Sequence, residues 1–369
     1  MRIANKIGPL LQRVTSSGEK LLYIDGLRFF AVMSVFIFHF IDHYDDHHKA
    51  MPGDPVLGVR LEGGVMGVIL FFAISGFLIA MPFYSSYVTR DKDFDLGDYY
   101  FRRLTRLEPP YIVQLLLLFF LSVFVLGTRG FAETLPHLLA SVFYCHEMIY
   151  GTKPLLNPVL WTLEIEVQFY LLAPLLGQMF RLKTYTRKSV LYCLLLFFTF
   201  YRPVEFGFPT IFRYIHYFLT GFLALDMYMD MGDRKDRHPF FDMVCFAALT
   251  LLWFSTTAYF TVVLLFLLLV YGSRTFLFVR MLENRLVCTI GGMCYSIYMF
   301  HQKVIYLVSG DLLSRKLIGG SYLVDLFIRM AYAFLATLLL GGIFFILVER
   351  PTMKKQWWRY RSVRKLVFE

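Results

Sequence analysis

The chain has 369 residues, of which 57% are hydrophobic, 18% aromatic and 17% charged. A soluble domain is nearer ~45–50% apolar and about 25% charged, so this balance excludes a disordered chain and argues against an ordinary soluble enzyme; five cysteines exclude a small disulfide scaffold. The net charge of +10 suits either a nucleic-acid binder or a membrane protein with basic cytoplasmic loops, and the placement of the charges decides between them.

A helix that crosses a bilayer needs about 20 largely apolar residues. Such runs fall at 21–41, 65–84, 109–127, 159–180, 189–205, 211–229, 240–257, 259–279, 286–309 and 322–348. The run 189–205 is the shortest and ends at Arg202 and Pro203, while 136–150 carries His137, His146 and Glu147 and reads as an interfacial or re-entrant piece. The expected fold is all-α: a polytopic membrane protein with about ten transmembrane helices and both termini cytoplasmic. Residues 1–20 form a basic cytoplasmic lead-in on the anionic leaflet, 21–349 the transmembrane domain, and 350–369 a basic, aromatic tail anchored by Trp357 and Trp358.

With that topology, 26 of the 37 Lys and Arg fall on inner segments, including Arg13, Arg102, Arg103, Arg106, Arg187, Lys188 and Arg274. Outer segments hold seven, and Arg28, Arg213, Lys303 and Arg329 lie within spans. This is the positive-inside pattern, so the surplus charge reads as topology and no nucleic-acid partner is expected. Segments 42–64 and 128–158 are expected as outer loops. The first run is too long and too charged, with Asp25 and Arg28, for a cleaved signal peptide. The absence of an Asn-x-Ser/Thr sequon favours a bacterial source. Cys145, Cys193, Cys245, Cys288 and Cys294 form no CxxC and read as small apolar residues. His43 and His47 stand four apart in an acidic stretch, but loop histidines are more often solvated, and no metal is expected.

Ionisable groups inside spans are costly and are therefore functional candidates. Arg28 and His39 are eleven residues apart, which returns to nearly the same helix face about 16 Å further along. The plain alternative is an arginine snorkelling inward and a histidine at the outer interface. Glu164, Glu166 and Tyr170 open the span 159–180, with Glu166 and Tyr170 on one face and Glu164 about 200° away. His301 falls in the outer half of 286–309, at the expected depth of His39 and Glu166. Arg103 and Arg106, three apart at the end of a cytoplasmic loop, project together and suit a phosphate; positive-inside topology explains them equally.

These residues resemble the membrane-bound acyltransferase-3 family, whose members acylate sugars and related acceptors. The resemblance covers most of the chain and rests on six motifs in order: Arg28 with His39, Phe71–Ile79 with its Ser75-Gly76 pair, Arg103-x-x-Arg106, Trp161-Thr162-Leu163 with Glu166 and Tyr170, Tyr295–Tyr298 with His301, and Glu349-Arg350-Pro351. The chain departs from the family pattern at Ile69, Thr162 and Glu164.

The resemblance implies an O-acyltransferase that moves an acyl group, acetyl first, from cytosolic acyl-CoA to a hydroxyl of an extracytoplasmic or lipid-linked carbohydrate. His39 would act as base or acyl carrier, with Arg28, Glu166 and His301 as catalytic partners. Arg103, Arg106 and Arg28 would hold the acetyl-CoA donor, and Trp161, Tyr170, Tyr298 and Asp25 would line the substrate site. Membrane lipids are the surrounding partner, the oligomeric state is open, and the expected location is a bacterial inner membrane. A proton-coupled transporter or flippase using the same Arg, Glu and His is the alternative, and a structural membrane subunit a third reading.

Overall fold

The computed structural model describes residues 10–14, 21–49, 63–201, 208–232, 237–313 and 322–353. Its helices are Leu22–Lys49 (α1), Gly63–Tyr87 (α2), Leu96–Phe120 (α3), Phe131–Val142 (α4), His146–Tyr150 (α5), Trp161–Gly177 (α6) and Thr184–Phe200 (α7). They continue as Ile211–Asp230 (α8), Pro239–Leu252 (α9), Ala258–Tyr271 (α10), Leu277–Leu282 (α11), Arg285–Gly292 (α12), Cys294–Leu313 (α13) and Tyr322–Phe344 (α14). Single π turns at Leu121–Val125 and Phe345–Glu349 extend α3 and α14. No strand occurs among the described residues, so the all-α expectation holds. Among the described residues, five helical segments are long and apolar enough to cross a membrane by length and composition: Leu22–Tyr44, Val65–Tyr87, Leu96–Val125, Pro158–Arg181 and Leu323–Thr352.

Several boundaries differ from expectation. The stretch after residue 41 is no loop, because α1 continues to Lys49. Segment 128–158 contains α4 and α5, separated by a bend at Tyr144, whose φ is 55°. The basic stretch before Pro109 is helical. Asp95 caps α3 by accepting the Asp98 N–H at 2.5 Å, and the helix runs on through Pro109 and Pro110. Those prolines remove the amide donors that the carbonyls of Thr105 and Arg106 would otherwise meet. Run 286–309 is broken at Met293. The tail from Lys354, with Trp357 and Trp358, most of the lead-in and the His47 side chain lie outside the described residues.

The chain divides into two compact units, Met1–Val68 with Asn284–Glu369, and Ile69–Glu283. In lipid, apolar burial alone gives helices little reason to associate, so close packing and polar pairs carry the contacts. In the first unit α1, α13 and α14 enclose Phe36, Phe40, Tyr44, Ile305, Leu326 and Ala333. The Tyr44 hydroxyl donates to Asp325 Oδ2 at 2.7 Å, and Arg329 Nε donates to the same oxygen at 2.7 Å. Just before the α12–α13 break, Gly291 brings α12 against α1. Any Cβ on Gly291 would collide with the Asp25 carbonyl of α1, so only glycine lets the two helices meet there. Beyond the break, Glu349 accepts the backbone N–H of Ser296 at 3.1 Å and its hydroxyl as well, which satisfies the new helix start.

In the second unit α8 is central, buried without interruption from Ile215 to Asp226. Gly76 of α2 lies against the Phe218 backbone, and Gly221 of α8 against Ala73 and Phe77, leaving no room for a Cβ on either helix. Arg187 was counted only as an inner-segment charge. It is instead only 2% exposed, and its Nε and Nη2 donate to the two oxygens of Asp226 at 2.9 and 2.6 Å. Arg274, also counted as a loop charge, donates to the Met231 and Gly232 carbonyls at 3.1 and 3.0 Å and so closes the C-terminus of α8. Lys188 pairs with Asp230.

Candidate active site

The site residues fall into two groups, one in each unit. In the first unit α1 carries Asp25, Arg28 and His39, and α13 carries Tyr298 and His301. His39 and His301, 262 positions apart in sequence, come together with ring centroids 5.2 Å apart and planes tilted by 42°. His301 is fully buried, and its Nδ1 stands 2.6 Å from the Tyr298 carbonyl oxygen. The Tyr298 ring lies 5.5 Å from the same imidazole. Arg28 is paired: its Nη1 donates to Asp25 Oδ1 at 2.5 Å. Arg13 Nη1 donates to the same oxygen at 3.0 Å, which ties the lead-in to α1. Asp25 therefore serves the two guanidiniums.

In the second unit the site is built on α6. Glu166 Oε1 accepts the Ser75 hydroxyl of α2 at 2.8 Å and the Tyr170 hydroxyl at 2.5 Å. Arg103 lies over the Tyr170 ring at 5.6 Å and over Tyr99 at 5.7 Å. Tyr99 in turn donates to the Tyr170 carbonyl at 3.2 Å. Arg106 stands one turn further along α3. Three motifs distant in sequence, those of Ser75, Arg103 with Arg106, and Glu166 with Tyr170, thus form one cluster. Trp161 packs at 5.5 Å on Tyr214.

The neighbouring polar groups of α6 have different tasks. Glu164 accepts the backbone N–H groups of His146 and Glu147 at 3.2 and 3.1 Å and caps α5. Gln168 accepts the N–H of Ile211 at 2.8 Å and caps α8. The 200° offset between Glu164 and Glu166 is therefore real, and Glu166 is the carboxylate placed among side-chain donors. Among the described residues no group of three or more His, Cys, Asp or Glu is arranged to hold a metal.

Sequence reasoning passed over Ser75 and Tyr99 as site members, and over the buried Asp325 and Asp226. A signal existed for Asp325, an acid four residues before Arg329 inside a span. The partners of Ser75 and Tyr99 are set by tertiary packing, and no spacing rule reaches them.

Helices long and apolar enough for a bilayer, with ionisable pairs buried within each unit, define the class of the chain as a membrane protein. The acyltransferase-3 family, described as an acyltransferase domain, matches residues 21–348, and the chain belongs to it. It is similar to the O-acetyltransferase OatA of Staphylococcus aureus, with 33% identity over 166 residues covering 41% of this chain and 24% of that protein. It is also similar to the putative peptidoglycan O-acetyltransferase YrhL of Bacillus subtilis, at 32% identity over 41% of this chain and 23% of the relative. The chain therefore spans about a quarter of the length of these curated relatives. No solved structure matches it.

Proposed function

We propose that the protein is an O-acyltransferase that moves acetyl from cytosolic acetyl-CoA to a hydroxyl of an extracytoplasmic or lipid-linked carbohydrate. The observation that carries this reading is the His39–His301 pair within the residues that match the acyltransferase domain. A half-buried imidazole beside a second imidazole, lining a helix bundle, is suited to take the proton of an attacking hydroxyl. Ten spans with both termini cytoplasmic place Arg28 on the donor side of His39 along one helix. In the first unit Arg28 is the proposed cation for the coenzyme phosphates, with Asp25 and Tyr298 as substrate contacts; in the second unit Arg103 and Arg106 have the same proposed task, with Glu166 as catalytic partner and Tyr170 and Trp161 as substrate contacts. The name of the Bacillus relative makes peptidoglycan fragments the first acceptor to test, and a bacterial inner membrane the expected location.

The test is release of CoA thiol from acetyl-CoA by the purified full chain in detergent, with muramic-acid-containing oligosaccharides as acceptor. His39→Ala should leave a folded protein with transfer reduced at least about 100-fold, the typical contribution of a positioned general base. A His39→Ala protein with wild-type turnover would refute the assignment.

A further inference from the structure

A backbone carbonyl can only accept a hydrogen bond. The 2.6 Å contact between His301 Nδ1 and the Tyr298 oxygen therefore requires the proton of the neutral imidazole to sit on Nδ1. That fixes the tautomer and leaves the lone pair on Nε2. This nitrogen is buried and has no hydrogen-bond partner among the described residues. A buried acceptor without a partner is costly, so its retention asks for a function.

The neighbour that can supply a proton is His39. The molecule contains its own ruler for such a pair. His137 Nδ1 and His146 Nε2 are 2.9 Å apart, and the centroids of those rings are 5.0 Å apart. The rings of His39 and His301 stand at 5.2 Å, a separation comparable with that of the bonded pair, which brings His39 within range of a proton exchange with His301. The surrounding charged groups are otherwise engaged. On α14, Arg329 donates to Asp325. At the end of the following π turn, Glu349 accepts from Ser296. On α1, the His43 ring stands edge-on to Tyr306 at 4.5 Å. Lys303 and Tyr298 share α13 with His301.

We propose that His301 is the proton acceptor behind His39, so that two imidazoles share the proton load of acyl transfer. The inference rests on the O-acyltransferase reading above. As the acceptor oxygen bonds to the thioester carbon, its hydroxyl proton passes to the unprotonated nitrogen of His39. The proton on the other His39 nitrogen passes to His301 Nε2, and the Nδ1 proton of His301 stays on the Tyr298 carbonyl. The carbon–sulfur bond breaks, the pair returns one proton to the thiolate, and CoA thiol leaves. His301 acts through His39 and never touches substrate, so it is a positioning residue.

The test compares the full-length wild type with His301→Gln, whose amide oxygen keeps an acceptor near Nε2 without its basicity. Expected are a kcat about 100-fold lower, a KM for acetyl-CoA within twofold of wild type, and a displaced acidic limb of the kcat–pH profile. In mixtures of light and heavy water, wild-type kcat should follow a curved dependence that reports two moving protons. That measurement needs no variant and stands even where His301→Gln fails to fold. An active wild type with a linear dependence overturns the relay and leaves the enzyme assignment intact, as does His301→Gln with unchanged kcat and pH profile. A wild type that releases no CoA thiol overturns the enzyme assignment itself.

Discussion

Asp25 offers the sharpest separation of structural from ligand-binding charge. One of its oxygens accepts from Arg28 at 2.5 Å and from Arg13 at 3.0 Å, and the three side chains are only 10–13% exposed. Asp25→Asn keeps the volume and removes the charge, leaving two guanidiniums without that counter-ion. Breaking a buried pair costs about 3–5 kcal/mol. The remaining exposure and the retained amide oxygen place this case near the lower end, about 3 kcal/mol. At about 2.1 cal/mol/K per residue over 369 residues, that lowers the unfolding midpoint by roughly 4 °C. If Arg28 also meets the anionic donor, the variant should bind acetyl-CoA more tightly, because Asp25 no longer competes for it. A tenfold gain in affinity adds about 1.4 kcal/mol of ligand stabilisation at the same saturating concentration. The assay is thermal unfolding in detergent with and without acetyl-CoA. An unchanged midpoint would show that the pair carries no stability. A smaller acetyl-CoA shift in the variant than in wild type would remove Arg28 from the donor site.

Two further predictions concern the second unit. Asp226→Asn should destabilise the protein by about 3–5 kcal/mol by stranding the buried Arg187, whereas Arg187→Met combined with Asp226→Leu should melt closer to wild type; equal melting of single and double variants would refute a buried pair. Ser75→Ala and Tyr170→Phe should each cost about 1 kcal/mol, since each leaves Glu166 Oε1 one remaining hydroxyl donor. The double variant should cost more than their sum by at least about 0.5 kcal/mol, because the carboxylate then loses both partners, and strict additivity in thermal melts would sink the shared-acceptor geometry.

The parts of this molecule that follow helix periodicity were legible from sequence. Arg28 and His39 do lie on one helix, Glu166 and Tyr170 do share a face, and the apolar runs do form helices. Capping chemistry was harder to see. The close approach of Gly291 to the Asp25 backbone is set by packing, and a run of apolar residues around two glycines still reads as one span although the helix breaks at Met293. The basic residues were legible as a set but not individually. Counting charges by loop treats Arg187 and Arg274 as solvated, yet each has a buried partner chosen by packing. An arginine that satisfies a helix C-terminus or a buried aspartate is counted like any other loop charge, so a charge count does not describe what those residues do.

The same reasoning applies to Arg103 and alters how its motif works. Read as the end of a loop, Arg103-x-x-Arg106 is a pair of solvent-facing cations. Because α3 starts at Leu96 and continues through two prolines, the pair belongs to a helix, and Arg103 lies between Tyr99 and Tyr170. A guanidinium sandwiched by aromatic rings loses less conformational freedom on meeting an anion than a solvated one, since its position is already set. It is also linked through Tyr170 to the carboxylate of Glu166. Donor charge arriving at Arg103 would therefore be felt at Glu166 through a single tyrosine hydroxyl. Within one unit, Arg103 of α3 and Glu166 of α6 are thus joined through Tyr170, which lies under the guanidinium and donates its hydroxyl to the carboxylate.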